Sequence, residues 1–574
     1  MPFKSKFPDI QVPDGQTDIL SLLFESTKYP KKNEQPVLID GISGRVITFG
    51  GLIELVEKIT AGLQHELNFK PGETVAIFSP NQVIVTDHFN SILYRHVWSC
   101  RGRYGRNIWA VRYCNIHMTI FFIGGTVALV NGAYNENELQ YHLQEADATV
   151  LFCHEDNIST ALKAADKAEI PRNRVLLFGD KVVNGVKPYT SVLVGKRRAK
   201  HIKYSAEEAK TATAYLPFSS GTTGTAKGVM LTHSNITANV LQFTEVELQR
   251  IDLKQEKIIG VLPFYHVFGL TCLLQAPLYW GVPVITLPRF ELTSFCTAMQ
   301  SHRITIGILV PPILILLAKH PDVGKYDFSS LREIICGAAP LSAQLARDVS
   351  SRLGGTVVKQ GYGMSETSPV ATMEETHDVL EGCVGILLPS MEAKIIDDNG
   401  NEVGNNERGE LWMKGPNIML GYTKRKEETA NTVDRDGYLH SGDVAIRDDN
   451  GRFYIVDRIK ELIKYKGLQV APAELESLLL KHSKIIDCAV IGVHSEEKGT
   501  ELPRAYVVVP EDVPRNEKTA QEIQDYVIKS VVDYKKLRGG IVFLDAIPKL
   551  ASGKILRRVL RDRAANEAVI KPKL

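Results

Sequence analysis

The chain has 574 residues, 44% of them hydrophobic and 23% charged, with a formal net charge of +2. That length exceeds one ordinary core and predicts about three or four domain-sized units of a globular rather than disordered protein. The near-neutral balance excludes the basic surface of a nucleic-acid or anionic-membrane binder, and eight scattered cysteines with no C-x-x-C spacing exclude a structural zinc site and a disulfide framework.

From the N-terminus, MPFKSKFPDI has no apolar core segment of the secretory kind. Thr74–Phe78 and residues 149–152, 258–262 and 282–287 are short β-rich runs separated by stretches of helical periodicity. This alternation predicts an α/β fold class, a large multi-subdomain N-terminal body with mostly parallel layered sheets. One segment departs from the pattern. Residues 88–135 carry no acid, while Arg95, Arg101, Arg103, Arg106 and Arg112 interleave with Tyr94, Trp98, Tyr104, Trp109 and Tyr113. Such interleaving suits base stacking, but the run lacks amphipathic order, and about 88–123 reads as an insertion, either genuine or created by a gene-model error such as a retained intron.

Residues 216–233 read LPFSSGTTGTAKGVMLTH. Gly221, Gly224 and Gly228 let backbone N–H groups approach an anion, Ser219, Ser220, Thr222, Thr223 and Thr225 add hydroxyl donors, and Lys227 adds charge, so a polyphosphate is the expected guest. The apolar run 304–318 is broken by Pro311-Pro312 and is too short to span a membrane. After Val456 the texture changes. Residues 457–467 are charged and glycine-ended and form a predicted hinge between a body of residues 1–456 and a small α+β domain of residues 468–574. A helix start at Pro472, strands at 485–493 and 505–509, and a helix with Ile523, Val527, Ile528 and Val531 on one face make up that domain. The terminal Pro572-Lys573-Leu574 is close to the peroxisomal address Ser-Lys-Leu, so a peroxisomal import receptor is an expected partner, with the cytoplasm as the alternative location.

The loop is not a Walker A motif, which would need glycine at Ala226 and a hydroxyl at Gly228. It resembles instead the signature of the adenylate-forming superfamily of acyl-CoA synthetases, luciferases and peptide-synthetase adenylation domains, whose usual form has proline where Ala226 stands. Further motifs follow in that family's order: Leu262-Pro263-Phe264-Tyr265-His266, Gly337-Ala338-Ala339-Pro340-Leu341, Gln360-Gly361-Tyr362-Gly363-Met364-Ser365-Glu366, Leu439-His440-Ser441-Gly442-Asp443, Lys460-Glu461-Leu462-Ile463-Lys464-Tyr465-Lys466-Gly467 and Ile547 to Lys554. The resemblance implies ATP, Mg²⁺ and coenzyme A as cofactors or co-substrates. It implies an adenine wall of Gly337, Ala338, Ala339, Gln360, Gly361, Tyr362 and Gly363, a phosphate hydroxyl on Ser365, a metal ligand in Glu366, and a ribose acceptor in Asp443 with Arg458 beside it. It further implies that His266 lies by the acyl carboxylate, that Lys554 serves adenylation, that Lys464 serves the thioester step, and that Lys460, Lys464, Lys466 and Gly467 form the hinge and coenzyme A face.

An acyl pocket near His266, Gly337, Gly361, Ser368, Pro369 and Val370 would be small or apolar, fitting a flat aromatic or medium-length aliphatic acid. The stretch 258–370 looks most like 4-coumarate-CoA ligases and their fungal and luciferase-like relatives, which implies an AMP-forming acid–thiol ligase. In such relatives a shorter apolar helix joins the Ser79-Pro80-Asn81 loop to Gly124-Gly125. Rival readings are a luciferase-like adenylate enzyme and a catalytically impaired nucleotide-binding homologue. A peptide-synthetase module would need a carrier domain, and too little chain follows Lys554 for one.

Overall fold

The computed structural model describes residues 2–79, 112–220, 226–248, 253–466, 468–495, 500–549 and 553–564. Three sheets build the body. In the first, Thr213–Ser220, Thr126–Val130, Thr74–Phe78, Ala148–His154 and Val175–Phe178 run parallel. Ala226–Thr232 and Gly421–Tyr422 extend that sheet antiparallel at one edge. In the second, six parallel strands from Pro36–Asp40 to Val357–Gly363 are flanked by antiparallel edge strands. Thr74–Phe78, Val175–Phe178 and Glu333–Cys336 are buried at every position, as strands covered on both faces must be. The helix His233–Glu247, buried along nearly its whole length, starts at a Thr232/Asn235 capping box and joins the two sheets into one core.

The third sheet differs from the parallel expectation. Phe3–Lys4, Glu392–Ile396, Arg408–Lys414, Leu439–Arg447 and Phe453–Arg458 pair antiparallel, and Arg408–Lys414 alternates buried and more exposed positions. One face packs on the core through Leu411, Met413 and Leu439, and the other, with Glu410 and His440, is free to serve a site.

Arg112–Phe122, inside the stretch read as anomalous, is a helix whose Ile116, Met118, Ile120 and Phe121 are fully buried against the helix Phe49–Glu66. Residues 116–122 of this helix are all buried, and a stretch so enclosed needs no amphipathic period. Residues 80–111 lie outside the described residues. At the start of the expected hinge, Asp457 and Arg458 still pair with Val444 and Asp443 in the third sheet. The turn follows at 459–462, and the hairpin Ile463–Tyr465/Leu468–Val470 packs on the small domain. That domain holds Asp487–Ser495, Thr500–Val508 and Ile541–Phe543 in one sheet against Pro472–Leu479 and Glu517–Ser530.

Candidate active site

The polyphosphate loop is the connection of a β-hairpin. Ser219 lies opposite Lys227 and Ser220 opposite Ala226, on strands antiparallel to one another. Gly221, Thr222, Thr223, Gly224 and the side chain of Ser220 fall outside the described residues. Beside the hairpin opens a cleft of about 640 Å³, whose walls come from all three body sheets and from the small domain. Ser219 and Lys227 line it from the hairpin, and Lys554 enters from the other side. Lys227 is buried, and its ammonium lies 4.9 Å from the centroid of the Tyr422 ring.

Between the two lysines runs an acidic and polar wall. Glu366 is buried, and its Oε1 accepts the Tyr422 hydroxyl at 2.9 Å. Asp443 is 2% exposed. Its Oδ2 accepts the Tyr362 hydroxyl at 2.7 Å, while Oδ1 lies 3.0 Å from Arg458 Nε but takes no hydrogen bond of good geometry. Burial raises the Asp443 carboxyl above its usual range, opposed by Arg458, Tyr362 and Lys554. Asp443 is thus a buried carboxylate with spare acceptor capacity facing a cleft, which suits a hydroxyl-bearing ligand.

Lys554 follows Gly553, whose left-handed φ of +85° tightens the turn against Pro312 of the body, where an added Cβ would stand 2.7 Å from the proline ring. The small domain is docked on the body at this point. Burial, and after it Arg458, brings the Lys554 ammonium down to about 8, partly offset by Asp443 and Glu366. The same burial, with Lys554 adding to it, lowers His266 to about 4. His266 is therefore neutral near pH 7. Its Nδ1 accepts the Phe268 N–H at 3.3 Å, which puts the ring proton on Nε2 and makes that atom a donor.

Of the other residues singled out in the sequence, Ala338, Gly363, Ser365, Arg458 and Lys460 line the cleft. Ala338 holds a left-handed φ of +69°, a strained conformation for alanine. Gly363 has no alternative, since a Cβ would lie 1.8 Å from the Pro369 carbonyl oxygen. Gly337, Ala339, Gln360, Gly361 and Tyr362 are not among the residues that line the cleft. Gln360 is committed elsewhere, donating Nε2 to the Cys383 carbonyl and its N–H to Glu374. Ser368, Pro369 and Val370 are buried and do not line this cleft. The Ser368 hydroxyl donates to the Asn417 carbonyl at 2.8 Å and the Val370 carbonyl accepts from Asn239 and Asn417. Lys464 and Lys466 are exposed on the small-domain hairpin, away from the cleft, and Gly467 and residues 572–574 lie outside the described residues.

Sequence reasoning missed Tyr422, Glu410 and the apolar wall of Tyr134, Val267, Phe268, Val310 and Met364. It also missed a buried ion cluster beneath the adenine-wall strand, where Lys359 Nζ lies 2.8 Å from Glu247 and 2.9 Å from Glu333. The two carboxylates outweigh burial and hold the ammonium charged, so the strand leading to Tyr362 is fixed from below.

Comparison with known proteins gives consistent matches along the chain. Residues 109–423 match the model of the AMP-binding enzyme family and residues 474–554 that of the AMP-binding enzyme C-terminal domain. Probable 4-coumarate--CoA ligase 1 of Dictyostelium discoideum is 35% identical over 563 residues, 98% of this chain and 97% of the relative. 4-Coumarate--CoA ligase 2 of Nicotiana tabacum is 33% identical over 570 residues, with the same coverage of each chain. Among solved structures, ATP-bound MatB from Rhodopseudomonas palustris superposes with a TM-score of 0.81 at 25% identity, covering 96% of this chain and 99% of that one.

Proposed function

This chain belongs to the AMP-binding enzyme family, and from that membership and the chemistry of the cleft we propose that it is an ATP-dependent carboxylate–CoA ligase. The observation that carries the reading is the meeting, in one cleft, of Lys554 from the small domain with Lys227, Glu366, Asp443 and Arg458 from the body. Attack of a carboxylate on the α-phosphorus of ATP brings two anions together, so catalysis rests on charge neutralisation and alignment. One carboxylate oxygen forms the bond to the α-phosphorus as the bond to the bridging oxygen breaks, and pyrophosphate leaves with that electron pair. Lys227 and the hairpin hold the β- and γ-phosphates, Asp443 accepts from the ribose hydroxyls, and Lys554 bridges the acid and the α-phosphate. His266 donates from Nε2 to the acid.

Glu366 is the residue that would hold Mg²⁺. Its buried carboxylate lines the cleft and offers the oxygen donor that such a hard cation takes. Once bound, the ion neutralises charge on the triphosphate. In the second half-reaction the thiol of coenzyme A attacks the acyl carbon, AMP departs, and the thiol proton passes to solvent. Lys464 is on an exposed hairpin while Lys554 fills the cleft, so a swing of the small domain about Lys460 exchanges the two.

The apolar wall of Phe268, Val267 and Met364 favours an aryl or arylalkenyl acid, with a medium-length aliphatic acid as the alternative. The test is AMP release, measured with and without coenzyme A, across cinnamic, phenylacetic, benzoic and medium-chain fatty acids. Release that needs both an acid and coenzyme A is expected, and ATP binding with no release for any acid would leave only a nucleotide-binding homologue. A pH profile follows from Lys554. It must be cationic to bridge two anions, and it is cationic below about 8. Adenylation kcat/KM, which reports the free enzyme, is therefore expected to fall as pH rises through about 8. A flat profile to pH 9.5, checked by pyrophosphate release, contradicts the assignment.

A further inference from the structure

The helix Glu136–Glu145 lies outside the cleft, yet it grips both strands of the phosphate hairpin. On one strand the His142 ring packs on Phe218 with centroids 4.2 Å apart. On the other, the Tyr141 hydroxyl donates to the carbonyl of Ala226 at 2.7 Å. That hydroxyl is itself held, since Arg425 Nη2 donates to it at 3.1 Å and Arg425 Nε pairs with Glu145 at 3.2 Å. Arg425 belongs to the segment immediately after Gly421–Tyr422, which pairs with the hairpin's second strand through Val229 and Met230. A closed loop of contacts thus runs from Glu145 through Arg425 and Tyr141 to the Ala226 carbonyl. Ala226 and Lys227 both line the cleft, and Tyr141 does not.

We propose that Tyr141 is a positioning residue for polyphosphate binding, fixing the Ala226 peptide so that Lys227, the next residue, meets the β- and γ-phosphates. The inference rests on the ligase reading above. Several contacts besides Tyr141 hold the second strand. The Thr423 N–H donates to the Gly228 carbonyl and the Leu420 N–H to the Met230 carbonyl, both on the C-terminal side of Lys227. On the N-terminal side the strand pairs with Ser219 and Ser220 across the hairpin, and the Tyr141 hydroxyl adds a side-chain bond to the Ala226 carbonyl. Removing that bond loosens the peptide plane just before Lys227 while leaving the strand paired. The consequence is selective: groups that bind ribose, the α-phosphate and the acid come from other elements, so a ligand without β- and γ-phosphates is indifferent to Tyr141.

Tyr141→Phe keeps the ring and deletes only the hydroxyl. The expected result is a fivefold to tenfold rise in KM for ATP in acid-dependent pyrophosphate exchange, the size of one lost hydrogen bond. Inhibition by AMP, KM for the acid, and thioester formation from preformed acyl-AMP should stay within twofold of the parent. Arg425→Lys, which keeps a cation beside Glu145 but gives up the fork that reaches Tyr141, should shift KM for ATP in the same direction by about twofold to threefold. Equal weakening of ATP and AMP in Tyr141→Phe would mean a general disturbance of the cleft and would overturn the proposal, as would an unchanged KM for ATP. Absence of exchange in the parent protein would instead refute the ligase reading, which keeps the two failures distinct.

Discussion

Lys554→Ala is expected to lower acyl-adenylate formation by about 10³-fold while leaving thioester formation from preformed acyl-AMP and coenzyme A within a few-fold of the parent. Lys554 is a half-buried cation lining the cleft, where a preorganised charge aimed at the reacting anions is worth about 10²–10³ in rate. Lys464→Ala should give the mirror image, with adenylation intact and the thioester step reduced about 10²-fold, because Lys464 stands on the exposed small-domain hairpin and has no access to the cleft in this arrangement. Rapid-quench measurement of each half-reaction separates the two. Equal loss of both half-reactions in each variant would remove the division of labour between the lysines.

Asp443→Asn carries the second large effect. The substitution keeps the shape and one acceptor, but it turns two donor hydrogens toward a site already crowded with donors from Tyr362 and Arg458. A ribose diol needs an acceptor there, and a buried site built for a hydrogen bond penalises the wrong partner heavily. kcat/KM for ATP is expected to fall about 10²-fold, and the inhibition constant for AMP should rise in parallel, because both nucleotides carry the ribose. The lost ion pair with Arg458, whose side chain is 40% exposed, should cost little stability. Weakened ATP binding with unaltered AMP binding would show that Asp443 does not face the ribose.

These two contrasts also show what the sequence could reveal. Asp443, Lys554 and Glu366 are side chains in short motifs, and the resemblance of those motifs to the adenylate-forming family nominated them. Thr74–Phe78 was legible as a strand because an unbroken apolar run of that length has few other fates. The antiparallel third sheet was missed because its alternation of buried and exposed residues was swamped by the continuous apolar strands of the parallel sheets. Ser368, Pro369 and Val370 were nominated for the acyl pocket as small or apolar residues, which look alike in a wall and in a core. The sequence could not show that the Ser368 hydroxyl donates to the Asn417 carbonyl, a contact 49 residues away along the chain. Tyr141 was invisible for a related reason: its partner is a backbone carbonyl, and carbonyls have no identity in a sequence. The helix Arg112–Phe122 shows little amphipathic order in the sequence, and its residues 116–122 are buried throughout.

The account turns on a first step completed without coenzyme A. Exchange of labelled pyrophosphate into ATP by the full-length protein, with a carboxylic acid present and coenzyme A omitted, measures that step alone. Acid-dependent exchange that disappears in Lys554→Ala is the predicted result. Exchange that requires coenzyme A, or that persists undiminished without Lys554, would contradict it.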